Sequence, residues 1–496
     1  MPILSREPRM LSGPVTRLGG SALLICVTAL VGFSLNAAPF PLRVWEVAKA
    51  RPAVPGAPKY GDVTVRNLRP HPHRGKRADP YDTFQMARDF HITRLEWTYG
   101  LDREFVQKAR AMGLTVGGAL EDAEEDANGS MKLGRVTGQD GKLKTHPWFH
   151  PERFVGCANS PEFRAAWQYQ ARRYVDAGVD LMQQDDPQMS TRTAPPFCYC
   201  AYCSKAFTAY QEQHGRDASY EQFQQESILQ FHREMHGELD AYAGRRVPFS
   251  HNNLIGFRDK LDWTAPAFDF INAEIEGDQV HPVSLQKKLA ASGGMPMVFS
   301  YRDTSVANNR RALATLYAAG AWMLLPWDVY MPNNAPRYFG RAEDYADLSG
   351  FIRGNARFLD GYEAVTTAGT GMKETRFGAS TPVKIGTGSG EAYAFVRAQP
   401  GQAAQPIVIH LIEWASVAKP FTLRLRVEYF STGGNLTARL RLPTAYDPAV
   451  HRIAQERGEF SSLCLETPVT VVREGDFVKL SIPALNPWGI LVIEHD

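Results

Sequence analysis

The stretch SPEFRAAWQYQARRYVDAGVDLMQQDD, residues 160–186, holds one complete helix followed by one complete strand. Ser160 is a good helix cap, and Pro161 takes the first helical position, where its missing amide hydrogen costs nothing. The apolar run that begins at Val179 predicts a buried strand, which ends on the adjacent carboxylates Asp185 and Asp186. A helix that leads into a buried strand is the repeating unit of a parallel α/β fold.

The same alternation of short apolar runs and amphipathic stretches extends from residue 62 to residue 358. The predicted strands are 63–68, 92–99, 114–122, 179–186, 246–253, 268–276, 296–303 and 321–328. Eight such units predict a (β/α)8 TIM barrel, whose active site lies at the carboxyl ends of the strands. We assign residues 39–360 to this barrel and expect it to be the catalytic domain.

The character of the chain changes after Gly361. The remaining sequence consists of short alternating strands, such as PIVIHLIEW (406–414) and FTLRLRVEY (421–429), which Gly, Pro and Asn separate. This pattern predicts an antiparallel β-sandwich domain over residues 361–496. Packing against the barrel is its expected role, and carbohydrate binding is the alternative.

The N-terminal residues 1–38 have the pattern of a secretory signal peptide. Basic residues precede the apolar run SALLICVTALVGFSL (21–35), and small residues follow it. The pattern predicts a secreted or periplasmic protein, with an uncleaved N-terminal anchor as the alternative. No later run is long enough to cross a bilayer, so stable membrane insertion is not expected. The 55 basic and 53 acidic residues nearly balance, which argues against a nucleic-acid partner.

Four of the six cysteines are close together in the predicted fold. The motif CYCAYC contains Cys198, Cys200 and Cys203, and Cys157 lies one helix and one strand upstream. Four thiolates can hold zinc tetrahedrally and leave no position open for water, so the predicted zinc is structural. Two disulfides are the alternative, although a short Cys-x-Cys loop would strain them.

The segment around these cysteines resembles glycoside hydrolase family 42, the β-galactosidases. The resemblance rests on GCANSPEF (156–163) and CYCAYCSKAF (198–207), and it covers residues 150–215 clearly. It implies a family-42-like barrel with zinc bound at all four cysteine positions. This chain departs from the family at the carboxylate turn, where Asp185-Asp186-Pro187 stands in place of Asn-Glu-Tyr. A galactosidase specificity is therefore left open.

Carboxylates that repeatedly end apolar strands must share the mouth of the barrel, and glycoside hydrolysis usually needs two of them. Asp186 stands where the family has its acid/base, and Glu274 ends the sixth predicted strand. We predict these two as the catalytic pair. Asp185, Glu276 and Asp303 are the further catalytic candidates, the last because the seventh strand ends without a glutamate.

Polar and aromatic side chains at the other strand ends are predicted to contact a carbohydrate substrate. They are Glu96, Trp97, Glu121, Asp122, His251, Asn252, Tyr301, Arg302, Trp327 and Asp328.

Two other classes of protein fit part of the pattern. His71 and His73 follow the first strand as HPH and, with His251 and Asp328, match part of the metal site of barrel amidohydrolases. A sugar-binding barrel without catalysis is the other alternative. The identity of the sugar and its linkage, and whether the chain forms a homo-oligomer, are left open by the sequence.

Overall fold

The computed structural model describes residues 42–67, 83–146, 153–301, 303–328, 337–338, 340–374, 376–377, 380–386 and 390–496. For Asn67, Trp327, Asp328, Arg337 and Tyr338 it describes the backbone only. The predicted signal peptide and the HPH motif lie outside these residues. No helix within them is long and apolar enough to span a membrane.

Eight parallel strands form a closed barrel, as the sequence predicts. They are β1 (Thr64–Asn67), β2 (Arg94–Thr98), β3 (Thr115–Leu120), β4 (Leu181–Gln184), β5 (Phe249–Asn253), β6 (Phe270–Ile275), β7 (Met297–Tyr301) and β8 (Trp322–Asp328). Each strand pairs with the next, and β1 also pairs with β8, so the sheet closes on itself. A two-residue strand, β9 (Arg337–Tyr338), pairs antiparallel with the end of β8.

Helices follow most of the strands and surround the barrel. They are α1 (Val44–Val47), α2 (Thr83–Asp89), α3 (Arg103–Ala111), α4 (Pro161–Ala177), α5 (Ala201–His214), α6 (Tyr220–Ala243), α7 (Ile255–Arg258), α8 (Pro282–Ala291), α9 (Val306–Ala319) and α10 (Ala342–Gly354). The stretch 160–186 folds into the helix and strand that its pattern predicts. The Ser160 side chain accepts from the Phe163 amide, and α4 ends at Gly178 in the left-handed conformation.

The interior of the barrel is polar at its centre. Gln183 on β4 accepts a 2.7 Å hydrogen bond from Asn272 on β6 and a further one from Ser250 on β5. Strands β4 and β6 are not neighbours, so a direct contact between their side chains must cross the lumen. This contact identifies the faces of β4, β5 and β6 that point inward, because side chains alternate along a strand.

The C-terminal part forms two antiparallel sheets and one further helix, α11 (Pro448–Arg457). The strands are β10 (Glu363–Ala368), β11 (Val383–Ile385), β12 (Ala392–Ala398), β13 (Ile407–Glu413), β14 (Phe421–Arg426), β15 (Leu436–Pro443), β16 (Cys464–Val469), β17 (Val471–Glu474), β18 (Phe477–Ile482) and β19 (Trp488–His495). The six-stranded sheet has the order β10-β12-β13-β19-β15-β16, and the four-stranded sheet has the order β11-β14-β18-β17. The predicted sandwich is therefore confirmed.

The central strands of the six-stranded sheet, β12, β13 and most of β19, are buried on both faces. Ile409 packs with Leu423 of the other sheet, whereas Val408 and Ile412 belong to the same apolar core as the barrel. Trp488 contacts the ring of Phe351 on α10 at 5.1 Å between centroids. Residues 42–496 consequently form one compact unit, and the boundary at residue 360 stays a prediction.

Gly256 on α7 packs closely against the end of β6. A Cβ at this position would lie 1.8 Å from the carbonyl oxygen of Glu274, so Gly256→Ala must displace that backbone. We expect it to lower the free energy of unfolding by about 1–3 kcal/mol. Gly237 on α6 is the matched control, because nothing lies within 4 Å of its added Cβ.

Gly237→Ala should raise stability by about 0.5–1 kcal/mol, since glycine is unfavourable inside a helix. Thermal unfolding followed by circular dichroism checks both variants. Equal midpoints for Gly256→Ala and the parent would contradict the packing.

Candidate active site

Three polar side chains point into the lumen one level above Gln183. Asp185, Asn252 and Glu274 each lie two residues beyond an inward-facing side chain of β4, β5 or β6. Asn252 donates to Oδ1 of Asp185 at 3.0 Å. Asp185 is 9% exposed, whereas the side chain of Glu274 is 33% exposed and open to solvent at the mouth.

A chain of contacts joins Glu274 to Asp185 around the opposite side of the barrel. Nη1 of Arg66 on β1 lies 3.2 Å from Oε1 of Glu274, a contact that also crosses the lumen. The Arg66 guanidinium stacks 3.7 Å from the ring centre of Trp97. The Trp97 indole donates to the Tyr99 hydroxyl at 3.0 Å, and that hydroxyl donates to Oδ2 of Asp185 at 2.6 Å.

Asp186 is held by the surrounding loops, outside this chain of contacts. Its backbone is left-handed, with φ of +46°, which turns the side chain away from the alternation of the strand. One carboxylate oxygen is bonded to Arg192, and the other lies 3.2 Å from Nε2 of His146. The same nitrogen lies 3.1 Å from Oδ1 of Asp122. The Asp186 amide in turn donates to Oδ1 of Asp185 at 3.0 Å.

Several predicted site residues are buried in pairs or packed away from the lumen. Glu96 bonds to Arg94 at 2.6 Å, and burial raises the pKa of Glu96 although Arg94 opposes this. Glu121 lies 3.2 Å from Arg153. His251 stacks on Phe268 at 4.4 Å on the outer side of β5. These environments favour structural roles.

Two further candidates, Asp303 and Tyr301, lie between the end of β7 and the start of α9. Asp303 accepts from the Ser305 amide at 2.8 Å and from Asn308 at 3.0 Å, and these bonds lower the pKa of Asp303. Tyr301 is 2% exposed, and burial raises its pKa to about 12.

The remaining predicted residues lie at the ends of β2, β6, β7 and β8. Glu276 lies beyond the end of β6 with its side chain exposed, and Trp97 is 1% exposed, which leaves little of its ring for stacking on a sugar. Arg302 lies outside the described residues. Trp327 and Asp328 end β8, where only the backbone is described.

Four residues of the site were missed by the reasoning from sequence: Arg66, Tyr99, His146 and Arg192. Arg66 carried a signal, since an arginine inside an apolar strand needs a buried partner. Tyr99 ends the predicted strand 92–99, where an aromatic residue gives no signal of a site. His146 and Arg192 lie in irregular loops, where no periodicity indicates direction.

The four predicted cysteines form one cluster. Their sulfur atoms all lie within 4.8 Å of one another, with Cys157 at 3.6 Å from Cys200 and 3.5 Å from Cys203. None of the four forms a disulfide. Zinc bound to four sulfurs at about 2.3 Å places those sulfurs about 3.8 Å apart, so the cluster fits a tetrahedral metal.

Comparisons with known proteins identify no family: no family model matches the chain, and no curated protein matches it. The resemblance to family 42 therefore stays confined to the residues that carry it.

The chain is similar to several solved glycoside hydrolases. One is a GH30 endoxylanase from Clostridium papyrosolvens C71 (10% identity, 89% of this chain and 97% of that chain covered, TM-score 0.44). Another is an α-amylase from H. orenii (12% identity, 87% and 98% covered, TM-score 0.47). A third is the glycoside hydrolase domain of PelA from Pseudomonas aeruginosa (15% identity, 53% and 92% covered, TM-score 0.33). Because these values are low, the fold rests on the strand order and the function on the site itself.

Buried histidines beside the barrel should make stability depend on pH. Burial lowers the pKa of His232 and of His251 to about 4, from an ordinary value of 6.5. Between pH 6.5 and 4 the unfolded chain binds protons that the folded chain refuses. Stability should thus be complete above pH 6.5 and fall as the pH is lowered, by up to about 1.4 kcal/mol per pH unit for each histidine.

Urea unfolding at pH 7.0 and 5.0 measures this dependence. His251→Phe keeps a ring against Phe268 and removes one titrating group, so its stability should vary less with pH. Equal urea midpoints for the parent protein at the two pH values would contradict the prediction.

Proposed function

We propose that the protein is a glycoside hydrolase that cleaves O-glycosidic bonds of an oligo- or polysaccharide at the mouth of its barrel. The observation that carries the proposal is the position of two carboxylates, Asp185 on β4 and Glu274 on β6. Both side chains point into one lumen, and Arg66, Trp97 and Tyr99 connect them. Two carboxylates that reach one lumen from separate strands are what this reaction needs.

The surroundings of the two carboxylates indicate how the roles divide. Asp185 accepts hydrogen bonds from Tyr99, Asn252 and the Asp186 amide, and these three donors fix the orientation of its carboxylate. Glu274 has Arg66 as its cationic neighbour, and a third of its side chain is open to solvent. We therefore assign proton transfer to the accessible Glu274, with the fixed Asp185 as the second carboxylate of the reaction.

This pairing modifies the prediction from sequence, which combined Glu274 with Asp186. Asp186 has one oxygen on Arg192 and the other on His146, so both of its oxygens are occupied. Its backbone amide contacts Asp185 directly. We propose that Asp186 anchors the turn that holds Asp185 in place. Catalysis by Asp186 itself is the alternative, and separate substitutions of Asp185 and Asp186 distinguish the two.

The amidohydrolase alternative receives less support from the described residues. Its metal site would need His251 to face the lumen, but His251 packs outward on Phe268 and bonds to the Phe270 carbonyl at 3.2 Å. Within the described ranges, the four cysteines are the group of metal ligands that comes together. We propose that they hold a structural zinc. We also propose that the protein is secreted and that its substrate is a carbohydrate.

The catalytic pair is tested by isosteric substitutions. Asp185→Asn and Glu274→Gln remove the titrating group and keep the shape, so each should lower kcat by about 10²–10⁴-fold. Asp186→Asn keeps hydrogen-bonding atoms at the turn and should lower kcat by less than about tenfold. Hydrolysis of a panel of aryl glycosides and polysaccharides provides the assay, with thermal unfolding as the control for folding.

Two outcomes would change the assignment. An inactive Asp186→Asn beside an active Asp185→Asn would restore the pairing of Asp186 with Glu274. The second outcome is that a chelator abolishes activity while zinc stays bound to the cysteines. If added divalent metal then restored activity, the protein would be a metal hydrolase, and an inactive His71→Ala would support that assignment.

The zinc proposal is tested by elemental analysis of the purified protein. We expect about one zinc per chain, because four thiolates close a single tetrahedral site. Glu274→Gln should keep the metal, and Cys198→Ser should lose most of it. A metal-free protein whose thiols are all oxidised would support the disulfide alternative instead.

A further inference from the structure

Two loops at the barrel mouth supply the side chains that hold Asp186. The loop after β3 contributes His146, and the loop after β4 contributes Arg192. Each loop also contributes to the cysteine cluster, the first through Cys157 and the second through Cys198 and Cys200, while Cys203 lies in the first turn of α5. The cluster and the carboxylate are thus fixed points on the same two loops.

The loop after β3 connects His146 to Cys157 through backbone hydrogen bonds. Antiparallel bridges join Thr145 to Phe154 and Arg135 to Gly156. The His146 amide donates to the Arg153 carbonyl at 2.7 Å, and the Cys157 amide donates to the Gly134 carbonyl at 2.9 Å. His146 and Cys157 consequently belong to one hydrogen-bonded unit.

The loop after β4 connects Cys198 to Arg192 through Gln224 on α6. Gln224 is 2% exposed, and its Oε1 accepts from the Ser190 hydroxyl at 2.9 Å and from the Cys198 amide at 3.1 Å. Ser190 lies in the short helical turn Met189–Arg192, which ends in the arginine that bonds Asp186. One buried amide oxygen therefore links the two ends of the loop.

The two loops contact each other where the cluster forms. The Tyr199 amide donates to the Thr137 carbonyl at 2.7 Å, and the Thr137 amide donates to the Cys198 sulfur at 3.5 Å. The Asn159 side-chain amide also donates to the Cys203 sulfur at 3.4 Å, so the contacts between the two segments gather around the sulfur atoms. A metal bound to all four sulfurs would join the loops firmly and reduce their conformational freedom.

We propose that the four-cysteine cluster and Gln224 form a brace that positions Asp186, so that the barrel mouth is ordered only while a metal holds the four sulfurs together. The catalytic consequence rests on the proposed function, whereas the order of the loops is a property of the chain that needs no substrate. Gln224 is in this scheme a positioning residue, since it reaches Asp186 only through Ser190 and Arg192.

Hydrogen–deuterium exchange followed by mass spectrometry tests the brace in the full-length protein. Gln224→Ala removes the shared acceptor and should raise exchange at least tenfold in peptides that cover residues 186–203, while the zinc content stays unchanged. Gln222→Ala is the matched control, because Gln222 lies on the exposed face of the same helix and bonds to Glu226. Gln222→Ala should exchange as the parent protein does. Gln224→Glu keeps acceptor oxygens at this position and should recover most of the protection from exchange.

Cys198→Ser tests the metal arm of the brace. Exchange should rise in the segments 134–146 and 186–203 but stay slow in β13, which lies in the C-terminal sheets. Unchanged exchange at 186–203 in both Gln224→Ala and Cys198→Ser would overturn the brace. If Cys198→Ser failed to fold, the Gln224→Ala result alone would decide, since that variant keeps all four cysteines.

Kinetic measurements separate this inference from the proposed function. A faster exchange in Gln224→Ala, with no sugar cleaved by the parent protein, would support the brace and reject the glycosidase. Sugar cleavage by the parent protein, with exchange at 186–203 that neither Gln224→Ala nor Cys198→Ser changes, would support the glycosidase and reject the brace. With both correct, Gln224→Ala should lower kcat by about two- to fivefold and change KM less than twofold, because it loosens the turn at Asp186 and leaves the residues that would contact the sugar unchanged.

Discussion

The pairing of β1 with β8 is the constraint on which the candidate active site depends. In an open sheet, β1 and β6 would be five strand spacings apart, or about 24 Å. In the closed barrel, Nη1 of Arg66 on β1 lies 3.2 Å from Oε1 of Glu274 on β6. Closure therefore creates the lumen and brings strands that are distant in the sequence to the same mouth. The Gln183–Asn272 hydrogen bond below it depends on the same closure.

A polar lumen costs stability, because charges lose their hydration when they are buried. Each acidic group described at the mouth has a compensating donor close by, such as Arg66 for Glu274 and Arg192 for Asp186. Such pairs seldom add to the free energy of folding by themselves. The apolar contribution comes from outside the lumen, where the six-stranded C-terminal sheet packs on the barrel with one face and on the second sheet with the other. The apolar surface that these sheets bury helps to offset the cost of the polar centre of the barrel.

The sequence predicted the architecture well because periodicity determines it. The eight strands, the start of α4 at Pro161 and the sandwich after Gly361 all followed from apolar patterns and from capping residues. The cysteine cluster followed from spacing, since short-range motifs keep their geometry when they fold.

The direction of individual side chains was harder to predict. Alternation alone could not tell which of Asp185 and Asp186 faces the lumen, because the left-handed backbone of Asp186 interrupts the strand at that residue. His146 and Arg192 reach the site from loops whose paths are set by tertiary contacts. The sequence therefore indicated that carboxylates gather at the carboxyl ends of the strands, but not how the loops hold them.

The central claim is that Asp185 and Glu274 face each other across the mouth and accommodate a glycosidic bond between them. A crystal structure of the protein with a bound oligosaccharide measures this directly. The account predicts that the two carboxyl groups are about 5–9.5 Å apart, the range that covers the retaining and inverting mechanisms, with the glycosidic oxygen between them. A sugar bound elsewhere, or an Asp185 carboxylate that points out of the lumen in the complex, would contradict it.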